Sequence, residues 1–116
     1  MDFADRLLQR LLEVDENARF VPSPNESYLV FNSKLFVIDI LLTDTFIKIY
    51  YIQVKVPGMG SKIVSCVVEE AKKSNLGVQA IFVLPQLAGF WRRNGFEKIE
   101  PDGNNYLFKP KKKPGP

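Results

Sequence analysis

A run of β-branched and aromatic residues at 46–54 passes through Lys55-Val56-Pro57-Gly58-Met59-Gly60-Ser61 into a stretch of helical periodicity. In that stretch Ile63, Val64, Val67, Val68 and Ala71 share one face, Lys62, Glu69, Glu70, Lys72 and Lys73 the other, and Asn75 with Gly77 marks the end. The strand ahead of it carries Ile47 and Ile49 on one face and Phe46 and Ile52 on the other, which predicts a central strand covered on both sides. It also carries Tyr50, Tyr51 and Gln53, which a plain core strand does not need. A helix start offers unpaired N–H groups and a partial positive charge, so Gly58 and Gly60 placed there let an anion approach the backbone. The junction therefore reads as a phosphate cradle, although a simple tight turn has the same appearance. It is not a Walker loop, because Gly58 and Gly60 are too close together, and it lacks the third glycine of a dinucleotide fingerprint.

The rest of the chain fits elements around this junction. Residues 2–15 place Phe3, Leu7, Leu8, Leu11, Leu12 and Val14 on one face, an amphipathic helix expected to pack on a sheet. Pro22-Ser23-Pro24-Asn25-Glu26 ends the helical region. Strands are expected at 28–31, 35–42 and 46–54 as antiparallel hairpins, then at 78–84, 96–99 and 106–109, with a short helix over 86–94 closed by Gly95. The expected class is α+β: a mixed, mostly antiparallel sheet of about six strands flanked by helices. It forms one domain, 1–109, followed by a Lys/Pro-rich, disordered tail at 110–116.

Composition removes several kinds of chemistry. With no histidine among 116 residues, Ser-His-Asp, Cys-His and ordinary zinc sites are excluded or improbable, and no metal is expected. The single cysteine, Cys66, cannot form an intrachain disulfide, and its neighbours Val64, Val67 and Val68 favour a buried thiol over a nucleophile. The net charge of +3 owes much to Lys109, Lys111, Lys112 and Lys113, so the body is close to neutral and shows no basic stripe for nucleic acid. No apolar run reaches the ~18 residues of a membrane span, and the start lacks an export signal, which leads to the expectation of a cytoplasmic protein.

Downstream of the cradle comes Phe90-Trp91-Arg92-Arg93-Asn94-Gly95-Phe96, at the end of a short helix that follows a strand. With the glycine loop, this resembles the GNAT superfamily of acyl-CoA N-acyltransferases, whose pattern is strand, Gln/Arg-x-x-Gly-x-Gly/Ala loop, helix, strand, and a helix ending in aromatic-Tyr-x-x-x-Gly-Phe. The resemblance covers about 46–96 in detail. It implies acetyl-CoA as cosubstrate, its pyrophosphate on the N–H groups of Val56, Pro57, Gly58, Met59, Gly60 and Ser61, with proline supplying no N–H of its own. It implies that the pantetheine arm pairs like an extra strand with Ile52, Gln53 and Val54, and that Arg93 faces a CoA phosphate. Lys55 stands at the usual Gln/Arg position and keeps a positive charge.

Two departures bear on activity. Where the family commonly has a tyrosine that protonates the leaving thiolate, this chain has Trp91, whose indole N–H is too weak an acid for the task. No glutamate lies on the strand 46–54, which leaves Asp39 on the neighbouring strand as the candidate base, with Tyr50 or Tyr51 to position a water. The candidate catalytic set is thus Asp39, Tyr51 and Trp91. The opening strand usual in the family is also missing, so a macromolecular acceptor or a second subunit, as in a homodimer, is expected to complete the acceptor side. The resulting expectation is an N-acetyltransferase moving acetyl from acetyl-CoA directly to a primary amine on a small molecule or protein. The alternative is a non-catalytic CoA-binding or interaction module.

Overall fold

The computed structural model describes residues 2–110; the expectation of a disordered tail at 110–116 falls almost wholly outside the described residues. Helix α1 (Phe3–Val14) is capped by the Asp2 carboxylate, which accepts the Asp5 N–H at 2.9 Å. It is followed by strands β1 (Arg19–Val21), β2 (Tyr28–Asn32), β3 (Phe36–Leu42) and β4 (Phe46–Val54). Helix α2 (Met59–Lys73) and strand β5 (Gly77–Ala80) come next, then a 3-10 turn, helix α3 (Ala88–Arg93), and strands β6 (Phe96–Lys98) and β7 (Tyr106–Phe108). One seven-stranded sheet runs β1-β2-β3-β4-β5-β7-β6, and every neighbouring pair is antiparallel except β4 with β5. The α+β class is as expected, and the additional strand is β1. Its three residues are too few to show a period, and it is held at the edge by pairing to β2 and by Arg19 donating to the Asn32 carboxamide at 2.9 Å.

Helices α1 and α2 lie together on one face of the sheet, where Leu7, Leu11, Ile63, Val64 and Val67 meet Phe31, Ile38, Ile40, Ile47 and Ile49 in a fully buried core. The opposite face of β2, β3 and β4 is different: Tyr28, Val30, Val37, Asp39, Leu41, Phe46 and Lys48 are only half-buried, and no helix among the described residues packs across it. Strand β4 is central, as expected, but covered on one side. The Phe46 ring occupies the space over Gly77, where a Cβ would fall 2.6 Å from it, which accounts for an apolar side chain on the open face.

A bulge in β4 overturns the expected sidedness of Ile52. The register with β3 runs Ile40↔Ile49 and then Asp39↔Tyr51, so Tyr50 is an extra residue. Ile52 is thereby returned to the core side, opposite the buried Ile38, rather than placed on the Phe46 side. Glu70 also departs from its expected solvent-facing position. It is buried beneath α1, with its carboxylate accepting from Arg10 at 2.9 Å and Arg6 3.7 Å away. Helical periodicity in α2 alone cannot register that a second helix covers its flank. Cys66 is half-buried, and burial raises its thiol pKa.

The end of β5 comes earlier than the expected 84. After Ile81 donates its N–H to the Ile49 carbonyl at 2.9 Å, Phe82 takes a positive φ of 55°, and its N–H turns to the Asn105 carboxamide. The chain then runs along 104–105 instead of along β4, with Val83 N–H bonded to the Asn104 carbonyl at 2.8 Å. Helix α3 is anchored by a run of edge-to-face rings, Phe90 on Trp91 at 5.2 Å, Trp91 on Phe96 at 4.9 Å and Phe96 on Phe108 at 5.5 Å. It leans on the first turn of α2, because a Cβ on Gly60 would lie 3.1 Å from the Phe90 ring.

Two stability outcomes follow from these contacts. In Gly60→Ala the push against Phe90 opposes the roughly 1 kcal/mol that alanine gains over glycine inside a helix, so unfolding free energy should rise by less than that amount, read by urea denaturation. The Ser33 hydroxyl and the Asn17 N–H hold the Asp15 carboxyl below the usual carboxylate range, so its ionised form favours the folded state. That contribution is present above the unfolded carboxylate pKa and is lost as pH falls through the lower folded value. Asp15→Asn should therefore be less stable than the parent at neutral pH, with the difference closing on acidification.

Candidate functional site

Beyond the Ile49–Ile81 hydrogen bond the parallel strands part. Strand β4 continues to Val54 paired only with β3, while the chain after Ala80 turns toward 104–105, so the β4 backbone from Tyr50 onward has a side with no strand partner. The gap is a cavity of about 110 Å³ lined by Ile49, Tyr51, Ile52, Ile81, Val83 and Trp91, among others. Its lining is mostly apolar and aromatic, the side-chain polar groups of the lining residues being the Tyr hydroxyls and the Trp91 indole N–H. Tyr50 and Phe82 stand across its mouth with ring centroids 6.3 Å apart, and Phe82 is 71% exposed. No sequence signal points to Phe82, since a positive φ at an aromatic residue is uncommon and is imposed here by the turn to Asn105.

At the end of the same strand the loop delivers α2. Gly58 is the residue before the helix, in the left-handed region at φ 83°, with open space where a Cβ would be; no side chain caps the helix start. The Met59 N–H donates to the Val56 carbonyl at 3.2 Å, and the N–H groups of Gly60 and Ser61 are left for solvent or an anion. The two glycines have different reasons for being glycine. Gly58 is needed for its backbone angle, and Gly60 is needed for contact with Phe90. Lys55, Val56, Pro57, Gly58, Ser61 and Lys62 are exposed, whereas Met59 is buried. Arg93, exposed in the last turn of α3, folds back until Nη1 lies 3.2 Å from the position of a Gly89 Cβ.

Two of the expected catalytic residues, Tyr51 and Trp91, line the gap, and Asp39 on β3 is the cross-strand partner of Tyr51. Trp91 is buried in the ring stack and forms part of the gap wall. The Tyr51 hydroxyl donates to the Gln53 carboxamide at 2.8 Å, on a side chain that is half exposed. Asp39 sits on β3, so β4 stands between it and the gap. Its carboxylate accepts the Tyr28 hydroxyl at 3.0 Å, and burial, with that bond second, raises the Tyr28 pKa. Among the described residues no cluster of His, Cys, Asp and Glu is arranged to hold a metal ion, and no helix is long and apolar enough to cross a membrane.

No protein-family model matches the chain, and no curated protein matches it. Solved structures do. The anti-CRISPR protein AcrVA5 superposes with a TM-score of 0.58 at 17% identity, over 80% of this chain and 99% of its own. The putative N-acetyl transferase YhhK from E. coli, solved bound to coenzyme A, superposes with a TM-score of 0.54 at 15% identity, over 94% of this chain and 92% of its own. Likeness at such identity is likeness of fold. With strands that part beside an uncapped glycine-led helix, this chain has the fold of the GNAT acyltransferases.

Proposed function

We propose that the protein binds acetyl-CoA and transfers the acetyl group to a primary amine. The observation that carries this reading is that the gap between β4 and β5 and the open start of α2 lie at the same end of β4. A CoA molecule needs both an anion site for its pyrophosphate and a slot with free backbone groups for its amide-bearing arm. In this reading the N–H groups in the stretch from Val56 to Ser61, Pro57 excepted, hold the pyrophosphate, Lys55 and Arg93 add positive charge, and Ile52, Gln53 and Val54 pair with the arm. The coenzyme A held by YhhK in a similar fold supports it.

The reaction then rests on proximity and on polarisation of the thioester carbonyl by a strand N–H at the bulge. The amine nitrogen bonds to the carbonyl carbon, the C–S bond breaks, and the thiolate takes a proton released by the nitrogen directly or through water. Trp91 shapes the wall and does not supply that proton, because an indole N–H is too weak an acid. In this reading Tyr51, whose hydroxyl donates to the Gln53 carboxamide, positions a water at the gap. A non-catalytic CoA-binding module is the second reading, and the structural observation favouring it is the use of Trp91 as a core residue.

Acetyl-CoA at about 100 times its dissociation constant should raise unfolding free energy by about 2.7 kcal/mol, seen as a thermal shift. Ser61→Glu should remove the shift while the variant stays folded, because a negative charge in the first turn suits the helix and opposes a pyrophosphate. A parent unresponsive to millimolar acetyl-CoA and CoA would sink the reading. Trp91→Tyr should raise or reshape turnover with little change in CoA affinity if the protein is an enzyme; if it is a module, neither form will acetylate any amine in a broad screen although both bind CoA.

A further inference from the structure

Beside the gap lies a second cavity of different character. It has a volume of about 190 Å³, sits at the turn between β2 and β3, and is lined by Asn32, Lys34, Val37, Gln53 and Lys55, among others. The Lys55 N–H donates to the Leu35 carbonyl at 2.9 Å, which holds the end of β4 against that turn. One hydrogen bond joins the two cavities: the Tyr51 hydroxyl, on a residue of the gap wall, donates to the Gln53 carboxamide at 2.8 Å. Each cavity is below the roughly 300–1,000 Å³ that encloses a whole small ligand, so each suits one part of a larger one.

The polar side chains of this second cavity present donors. The Gln53 oxygen is taken by Tyr51, and the Asn32 oxygen accepts from Arg19 Nε at 2.9 Å, so what each carboxamide has left to offer is its amide N–H groups. Lys34 and Lys55 add two ammonium groups and Arg19 a guanidinium beside Asn32, and among the described residues none of the three is in an ion pair. No acidic side chain lines the cavity. Asp39, on the same face of β3 as Val37, has its carboxylate on the Tyr28 hydroxyl at 3.0 Å, and the Asp15 carboxyl is held by Ser33 and Asn17. Cations and amide donors gathered without an acceptor favour an anion with several oxygens, because hydrogen bonds to an ionised acceptor are about twice as strong as neutral ones.

The face of the sheet decides what such an anion belongs to. The start of α2 lies on the Val54 side, where a Cβ on Gly60 would be 3.7 Å from the Val54 side chain. Successive side chains of a strand point to opposite faces, so Gln53, paired with Val37, looks away from the helix start, and Lys55 joins it in the cavity. A molecule held there reaches the gap from the face opposite the helix start.

We propose that this cavity holds the anionic end of the acceptor: the amine that receives the acyl group carries a phosphate-class anion, seated against Lys34, Lys55, Asn32 and Gln53 while its nitrogen reaches the gap past Tyr51. This deepens the acetyltransferase reading and rests on it for the fate of the amine, whereas the anion site itself is testable without turnover. The ribose phosphate of CoA is the competing source of the same chemistry, disfavoured because the cavity lies across the sheet from the helix start.

The test is calorimetric titration with O-phosphoethanolamine, with and without saturating CoA, and with ethanolamine as the control that lacks the anion. O-phosphoethanolamine should bind and ethanolamine should not. Lys34→Ala, at an exposed turn position, should weaken that binding by about tenfold, as expected for a lost charged partner. Lys98→Ala, at an exposed position on β6, should leave it unchanged, which separates a local site from overall attraction. Absent O-phosphoethanolamine binding, equal binding by Lys34→Ala, or an equal loss in Lys98→Ala overturns the proposal. So does a preference for CoA over dephospho-CoA that Lys34→Ala removes, since the site would then belong to the cosubstrate. The acetyl-CoA thermal shift is read in parallel: a lost anion site with the shift intact is failure of this proposal alone, and no shift with O-phosphoethanolamine still bound is failure of the cofactor reading.

Discussion

Everything at the site depends on where two parallel strands stop sharing hydrogen bonds. The last link is the Ile81 N–H to the Ile49 carbonyl, and immediately beyond it both chains change course. On β4 the extra residue Tyr50 bends the strand, and on the other side Phe82 enters the left-handed region with its N–H satisfied by Asn105. Strand separation would ordinarily leave buried polar backbone groups unpaired at a cost comparable to a lost hydrogen bond. The cost is limited here because Phe82 and Val83 find partners in 104–105, while the open groups of β4 line an accessible gap.

The second half of the site is held in place by packing rather than by its own hydrogen bonds. Gly60 lets Phe90 approach, and the ring run from Phe90 through Trp91 and Phe96 to Phe108 ties α3 to the last two strands. At the other end of α2, Arg10 on α1 reaches the buried Glu70 while Arg6 bonds Ser74 at 3.0 Å. The start of α2 is thus aimed by contacts at both of its ends. That matters for the anion site proposed there, since backbone groups have no flexible side chain to correct an error in position. Trp91 is accordingly a structural residue as well as part of the gap wall.

Much of the candidate site was legible because local rules govern it. The span of β4, the helix that follows and the glycine at the helix start follow from apolar period and from backbone angles that only certain residues take easily. Strand β5 was read too long, since Ile81 to Leu84 are as apolar as a buried strand and only the bond to Asn105, far along the chain, pulls Phe82 away. Glu70 was read as solvent-facing because a single helix cannot show what covers its flank.

The sequence by itself determined the order of elements other than β1, the strand, loop and helix around Gly58 and the lack of imidazole chemistry, because each depends on residue type and short spacing. Only the tertiary structure decided that the sheet is covered on one face, that β4 bulges at Tyr50, that Gly60 serves Phe90, and that Asp39 lies on the open face with its carboxylate on the Tyr28 hydroxyl. These are relations between residues distant along the chain, and their energies come from packing and pairing that a local pattern does not encode.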